Sequence, residues 1–177
     1  MKNKKETIVY TSGSWDLFHI GHLNLIEKSK SYGDKLIVGV STDELIEKYK
    51  GTKPTIPYDQ RKRIIESLRA VDLVVKQTEL TEVRQLIEHN IDVVTIGDDW
   101  QDKYLEGLEW MKEQGRLVVY LPYTKGVSTT SIKKDIIENA QKIVDAALSR
   151  EILSMEEYDK KLSHEFLKKA GRLNEEK

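Results

Sequence analysis

With 177 residues, of which 38% are hydrophobic and 33% are charged, the chain suits one soluble domain with an appendage. Its 29 basic and 30 acidic side chains leave a net charge of −1, which argues against a nucleic-acid partner, and the lack of cysteine excludes disulfides and thiolate-bound metals. No apolar stretch approaches a signal peptide or a membrane span, so we expect a cytoplasmic protein.

Segments typical of strands and helices alternate along the chain. Short β-branched or continuous apolar runs predict five strands, at residues 7–11, 35–41, 72–76, 91–96 and 117–121. Helical spacing of apolar residues predicts a first helix that ends at Gly33 and further helices at residues 43–48, 59–68, 81–89, 102–114 and 128–149. This alternation is typical of an α/β, Rossmann-like fold with a doubly wound, five-stranded parallel sheet.

The last part of the chain differs from the rest because it is highly charged. Apolar side chains recur there at helical spacing, at Met155, Tyr158, Leu162 and Phe166. Ser154 and Glu157 have the spacing of a capping box, which predicts a new helix start. We therefore expect a domain at residues 1–149 and a C-terminal amphipathic helical extension at residues 150–177, which could pack on its own domain, cover the site or serve self-association.

Two histidines follow the first predicted strand. His19 and His22 are three residues apart, so both imidazoles would share one face at the start of the next helix. Free amides and the helix dipole favour bound phosphate at such a place. The alternative, a pair of ordinary surface or capping histidines, does not explain why both stand at a strand-to-helix junction beside Gly13 and Asp16.

A second candidate phosphate site follows the fifth predicted strand. Hydroxyl side chains crowd the start of a helix there, at Ser128, Thr129, Thr130 and Ser131, just after Gly126. Capping that helix needs one hydroxyl only. Because loops after parallel strands meet at one edge of the sheet, two such helix starts indicate a ligand with several phosphates, such as a nucleoside triphosphate. Neither a dinucleotide-binding nor a P-loop glycine motif occurs.

Eight blocks carry a family resemblance, in this order: Gly13-Ser-Trp-Asp16 with His19-Ile-Gly-His22, Ser41-Thr-Asp-Glu44, Tyr49-Lys50-Gly51, Tyr58-Asp-Gln-Arg61, Arg69-Ala-Val-Asp72, Asn90-Ile-Asp-Val93, Gly97-Asp-Asp-Trp100 and Gly126-Val-Ser-Thr-Thr130. Over about residues 7–138 the chain thus resembles the cytidylyltransferase family of the HxGH nucleotidyltransferase superfamily, and within it the small bacterial enzymes that act on glycerol 3-phosphate. The resemblance implies transfer of CMP from CTP, with Mg²⁺, to a phosphorylated small alcohol, giving a CDP-alcohol and pyrophosphate, and it implies a homodimer.

The resemblance also assigns roles to residues. His19, His22 and Lys50 would be catalytic, as stabilisers of charge on the reacting phosphates, because a phosphate monoester with a second pKa of about 6 arrives ionised and needs no general base. Asp16 would orient the histidines or, through Mg²⁺, the triphosphate; no metal ligand is certain. The implied nucleotide-binding residues are Gly13, Ser14, Asp16, Gly21, Lys125, Gly126, Ser128, Thr129 and Thr130. The implied acceptor-binding residues are Arg61, Asp98, Asp99 and Trp100.

The loop after the fifth strand departs from the family pattern, which reads Arg-Thr-Glu-Gly-Ile-Ser-Thr-Thr. Tyr123 replaces the arginine and Lys125 replaces the glutamate. Tyrosine cannot supply a charged fork to phosphate. We therefore expect Lys125 to restore the positive charge. The same substitution is the only support for another hypothesis, a catalytically inert nucleotide-binding regulator.

The acceptor stays open at this stage. Asp98 and Asp99 suit the hydroxyls of a polyol phosphate such as glycerol 3-phosphate, which we favour, or ribitol phosphate. Trp100, Tyr104 and Trp110 would instead form a cage for the cationic head group of phosphocholine or phosphoethanolamine. An adenylyltransferase of the same superfamily is a further alternative.

Overall fold

The structure is a computed structural model that describes residues 5–174; in the last helix, the side chains at positions 153, 166, 167 and 169–174 lie outside the described set. Strands and helices follow one another as β1 Ile8–Gly13, α1 Ile20–Lys30, β2 Lys35–Ser41, α2 Asp43–Lys50, α3 Tyr58–Glu66, β3 Leu73–Gln77, α4 Val83–Glu88, β4 Val93–Gly97, a 3-10 turn Asp98–Trp100, α5 Glu106–Glu113, β5 Leu117–Leu121 and α6 Thr129–Asn174.

The five strands form one parallel sheet in the order β3-β2-β1-β4-β5. The predicted fold class is therefore confirmed. The chain winds outward from β1 in one direction and then returns to place β4 on the other side of β1, where Val9 pairs with Val93. The strand order thus reverses between β1 and β4, and a crevice beyond their carboxyl ends is the expected ligand position.

Each face of the sheet carries its own core, because successive side chains of a strand point to opposite faces. Val9 and Leu36 pack with α1 and α3 residues such as Ile26. Their neighbours Tyr10 and Ile37 pack on the other face with α4 and α5 residues. The sheet is covered on both sides, as its continuous apolar runs predict.

The last helix, α6, runs without a break from Thr129 to Asn174, so the predicted helix end near residue 149 is wrong. Between positions 127 and 170 the sequence has neither Gly nor Pro, and nothing therefore ends the helix. Ser154 does not cap a new helix, since its Oγ donates to the Glu151 carbonyl at 2.7 Å within the same helix.

The chain forms two compact units, of which one ends at Thr129 and the other begins at Thr130. The domain boundary after residue 149 stays a prediction. In the second unit Met155, Tyr158 and Leu162 are exposed, while the side chain of Phe166 lies outside the described set. Among the described helices, none combines the length and the apolar composition that crossing a bilayer requires.

Candidate active site

A cavity of about 400 Å³ lies in the first unit, beyond the carboxyl ends of the strands. Many of the residues singled out in the sequence line it, namely Gly13, Ser14, His22, Lys50, Asp99 and Trp100. The structure thus brings together, around one cavity, residues from the ends of β1, α2 and β4.

The segment between β1 and α1 has an unusual backbone held by buried contacts. Trp15 and Leu17 have positive φ angles of 53° and 47°, which is costly for residues with large side chains. The Trp15 indole nitrogen donates to the Gly39 carbonyl at 2.9 Å, and its ring is buried. A Cβ atom on Gly13 would lie 3.1 Å from that ring. Gly13 therefore permits the indole to pack under the end of β1.

His19 is the N-cap of α1. Its Nδ1 accepts a hydrogen bond from the Gly21 amide at 3.1 Å, and in a neutral ring this places the proton on Nε2. In the described part of the chain Nε2 is buried and has no hydrogen-bond partner. His19 thus offers one N–H donor whose orientation is fixed by the start of its own helix.

His22 stacks on His19, with ring centroids 3.8 Å apart and an angle of 20° between the planes. Trp15 and Phe18 contact the other parts of its ring, at 5.4 and 5.6 Å. Its Nδ1 is buried and, within the described residues, lacks a partner. Two buried, unpaired imidazole nitrogens next to a helix start are what a phosphate-binding pair requires.

Both histidines resist protonation. Burial, followed by the nearby His19 and Lys50, lowers the pKa of His22 to about 3, although Asp16 opposes the shift. Burial also lowers the pKa of His19. Near pH 7 the pair is therefore neutral, and it can stabilise phosphate oxygens through N–H donors, while formal positive charge must come from lysine.

Gly21 makes room for His19 rather than leaving a space open. A Cβ atom there would lie 2.9 Å from Cε1 of His19 and 3.4 Å from the Val127 side chain. The ring of His19 therefore occupies the space next to the Gly21 Cα atom. Gly21 thus permits the N-cap geometry, and its contact with a nucleotide stays a prediction.

Asp16 joins two loops. The carboxylate is buried and accepts from the amides of Thr55 at 3.0 Å and Ile56 at 2.9 Å. Its backbone carbonyl accepts from the Thr129 hydroxyl at 2.9 Å. That bond uses the hydroxyl proton of Thr129, which cannot at the same time be donated to a phosphate. In the part of the chain that is described, no group of three His or carboxylate side chains could hold a metal ion, so these residues do not fit a protein-built Mg²⁺ site.

Arg61 differs from its predicted role, because it is 0% exposed. Its Nε donates to the Ile56 carbonyl at 2.8 Å, and its terminal nitrogens donate to the carbonyls of Ser14 and Ser41 and to the Asp43 carboxylate, the last at 2.6 Å. The guanidinium therefore ties together the ends of β1 and β2 and the start of α2. In this structure it does not reach an acceptor in the cavity, and the predicted direct contact is corrected accordingly.

The predicted aromatic cage does not form. Trp100 lines the cavity, but Tyr104 is 78% exposed and Trp110 packs on the core next to α5, with Arg116 over its ring at 5.2 Å. The aromatic neighbour of Trp100 is Tyr49, with ring centroids 6.4 Å apart.

Of the two carboxylates predicted to bind the acceptor, one lines the cavity and the other does not. Asp99 lines the cavity, whereas Asp98 is exposed and does not.

The loop from β5 to α6 is more exposed than the segment between β1 and α1. Tyr123 lines the cavity with 53% of its surface exposed, whereas Lys125 is exposed and does not line it. Gly126 has a φ of +84°, which favours glycine at this turn. Ser128 lies in the same loop, and Thr130 belongs to the second unit. Whether Lys125 supplies charge to phosphates stays a prediction.

A buried polar network was missed from the sequence. Gln77 is 1% exposed; its amide nitrogen donates to the Ser12 hydroxyl at 3.0 Å, and its amide oxygen accepts from Ser41 at 2.7 Å. All three residues line the cavity. The available signal was a polar residue at the carboxyl end of three neighbouring apolar strands.

Comparison with known proteins gives consistent matches. Residues 10–135 match the family model Cytidylyltransferase-like. The chain is 45% identical over 130 residues to the glycerol-3-phosphate cytidylyltransferase of Bacillus subtilis (strain 168), an alignment that covers 72% of this chain and 95% of that protein. It is 37% identical over 129 residues to the enzyme of the same name from Staphylococcus aureus (strain NCTC 8325 / PS 47), covering 72% and 93%. The crystal structure of the lipopolysaccharide core biosynthesis protein from Thermoplasma volcanium GSS1 superposes with a TM-score of 0.56 at 26% identity, covering 70% of this chain and 100% of that one.

Proposed function

Because the chain belongs to the cytidylyltransferase-like family of nucleotidyltransferase enzymes, we propose that it transfers CMP from CTP to glycerol 3-phosphate, giving CDP-glycerol and pyrophosphate. The observation that carries the proposal is the stacked pair of His19 and His22, whose unpaired nitrogens lie at a helix start. The identity to relatives of that name, over nearly their whole length, supports the choice of substrates.

The reaction asks for positioning and charge stabilisation. An oxygen of the acceptor phosphate forms a bond to the α-phosphorus of CTP, the bond from that phosphorus to the bridging oxygen breaks, and its electron pair leaves with pyrophosphate. The acceptor is already a dianion at neutral pH, so no base has to remove a proton. The main barriers are repulsion between anions and the alignment of three groups in line.

We assign these tasks to His19, His22 and Lys50, of which His22 and Lys50 line the cavity and His19 stacks on His22. His19 donates from Nε2 to a phosphate oxygen in the transition state, and His22 acts beside it. Lys50, whose Nζ lies 3.3 Å from the Ser14 hydroxyl, supplies positive charge at the α-phosphate. Arg61 contributes by fixing the Ser14 backbone.

The other assigned residues remain part of the proposal. We expect nucleotide contacts from Gly13, Ser14, Gly21, Lys125, Gly126, Ser128 and Thr130, and acceptor contacts from Asp99 and Trp100. In addition we propose Mg²⁺ that arrives with CTP, a homodimer, a cytoplasmic location, and a catalytic domain at residues 1–149 that the segment 150–177 extends.

The charge next to Trp100 favours a polyol phosphate over phosphocholine. The ammonium group of Lys103 lies 4.5 Å from the centre of the Trp100 ring. An aromatic face that already carries a cation is a poor partner for a second, quaternary one. The acceptor expected here has an uncharged head group and an anionic phosphate.

The test is pyrophosphate release from CTP or ATP, each combined with glycerol 3-phosphate, ribitol 5-phosphate, phosphocholine and phosphoethanolamine. We expect release from CTP with glycerol 3-phosphate above all other pairs. A preference for ATP would indicate an adenylyltransferase, and a preference for phosphocholine would reject the acceptor. The absence of release from every pair would reject the enzyme.

A further inference from the structure

Two lysines line the cavity on either side of an aromatic pair. Lys50 lies 5.4 Å from the centre of the Tyr49 ring, and Lys103 lies 4.5 Å from the centre of the Trp100 ring. The two rings contact each other with centroids 6.4 Å apart. The cavity wall therefore presents two positive charges that are separated by aromatic surface.

The contact that positions Lys103 in this wall is with an aromatic ring and not with a carboxylate. Among the described residues, no carboxylate lies within ion-pairing distance of its ammonium group. Lys103 is exposed to solvent as a whole, and the face of Trp100 attracts its ammonium group through the ring quadrupole at the cavity wall that both residues line. An oriented but unneutralised lysine in a cavity is suited to an anionic ligand.

The position of Lys103 in the fold indicates which of the two anionic substrates, the acceptor phosphate or the triphosphate of CTP, it contacts. His19 and His22 belong to the β1–α1 side, where Val127 of the loop before α6 approaches Gly21. Lys103 belongs to another part of the cavity lining, the segment after β4 and its 3-10 turn. In-line transfer requires the attacking phosphate to enter opposite the leaving pyrophosphate. If pyrophosphate leaves along the histidines, the attacking phosphate enters from another side of the cavity, and the segment after β4 that carries Lys103 lines one such side.

We propose that Lys103 binds the phosphate group of the acceptor alcohol, with Trp100 as its positioning residue. The inference rests on the proposed function and adds to it a residue that recognises the acceptor. Lys103 offsets the repulsion between the entering dianion and the triphosphate, while Lys50 acts at the α-phosphate. Tyr123, which replaces the arginine of the family pattern, also lines this cavity and carries no charge. Lys103 supplies a positive charge to the same cavity.

The experiment compares steady-state kinetics of pyrophosphate release in Lys103→Met, Lys103→Arg and wild type. Methionine keeps an apolar stem on Trp100 and removes the charge, whereas arginine keeps the charge. We expect Lys103→Met to raise KM for glycerol 3-phosphate by roughly 10- to 100-fold, as for the loss of one charge-assisted hydrogen bond. KM for CTP should change by no more than about twofold, and Lys103→Arg should retain most of the wild-type KM for the acceptor.

Lys112→Met is the matched control, because Lys112 lies in α5, pairs with Glu109 and does not line the cavity. It should leave both KM values unchanged. Normal acceptor KM in Lys103→Met, with wild-type turnover intact, would overturn the role of Lys103 and leave the proposed function standing. An equal rise in KM for CTP would assign Lys103 to the nucleotide and overturn it as well. A wild type without turnover would remove the proposed function itself.

Discussion

The two loops that frame the cavity are built differently. In residues 14–19, between β1 and α1, the Trp15 ring and the Asp16 carboxylate are buried and hydrogen-bonded. In residues 122–128, between β5 and α6, Tyr123 and Lys125 are exposed. This second loop is tied to α1 by the hydrogen bond from the Asn24 side-chain amide to the Thr124 hydroxyl at 3.3 Å.

The contrast separates two tasks of the site. Groups that must stabilise a transition state are set in advance, so that little reorganisation accompanies the reaction. A loop that contacts the outer phosphates of a nucleotide can be set by the ligand instead. Substitutions in the first loop and its supports should therefore change stability and kcat, and substitutions in the second loop should change KM.

The largest effect is expected at Arg61, which supports the first loop from below. Arg61→Met should lower the free energy of unfolding by about 3 kcal/mol, because it leaves the Asp43 carboxylate and three carbonyls without their donor. Urea denaturation followed by circular dichroism measures this loss. Arg63→Met, an exposed position in the same helix, should cost less than about 0.5 kcal/mol. Equal losses in both variants would show that the hydrogen bonds of Arg61 do not stabilise the first loop.

An effect of similar size is expected from the loss of either imidazole of the pair. His19→Ala and His22→Ala should each lower kcat by roughly 10²- to 10³-fold, the usual cost of removing one preorganised donor. Pyrophosphate release at saturating CTP and glycerol 3-phosphate is the measurement. His164→Ala, an exposed histidine in α6, serves as the control and should keep full activity. Turnover retained in both His19→Ala and His22→Ala would reject the role assigned to the pair.

A smaller effect should follow from pH. The pKa of His22 falls from 6.5 to about 3 on folding, so between these values the unfolded chain binds a proton that the folded chain excludes. Its contribution to stability is complete above pH 6.5 and decreases as the pH falls toward 3. At pH 5 the loss from this residue is about 2 kcal/mol.

Urea midpoints of wild type and His22→Gln at pH 7.5 and pH 5 test this linkage. The wild type should lose more stability than the variant on acidification. Equal losses in the two proteins would mean that the buried ring does not resist protonation.

The smallest effect is expected in the exposed loop. Lys125→Ala should raise KM for CTP by about two- to fivefold and leave kcat unchanged, because Lys125 is exposed and does not line the cavity, so solvent screens its charge. Steady-state kinetics with Lys142→Ala, an exposed lysine of α6, as the reference measures the difference. An unchanged KM would show that Lys125 does not compensate for Tyr123, and a large fall in kcat would contradict the division of tasks between the loops.

The fold followed from local patterns, whereas much of the site's internal support did not. The alternation of apolar strand and helix patterns predicted the five-stranded parallel sheet. The family motifs predicted that residues such as His22 and Lys50 lie around one cavity. The place of Arg61 depended on carbonyl oxygens at Ser14, Ser41 and Ile56, which are distant from one another in the sequence.

Two further results depended on context that a local pattern does not contain. The Ser154 capping sequence has no effect when the preceding residues are already helical. Trp100 contacts Tyr49 of α2, whereas Tyr104 lies between the 3-10 turn Asp98–Trp100 and α5, where its side chain is exposed.

The N-cap made by His19 has a consequence for proton binding. One lone pair, on Nδ1, accepts the amide of Gly21, and the same lone pair is the one that an incoming proton would take. The first turn of α1 and a proton thus compete for a single atom. Proton uptake on Nδ1 and the hydrogen bond from the Gly21 amide exclude each other, so this bond acts together with burial to keep the donor on Nε2 and the ring uncharged.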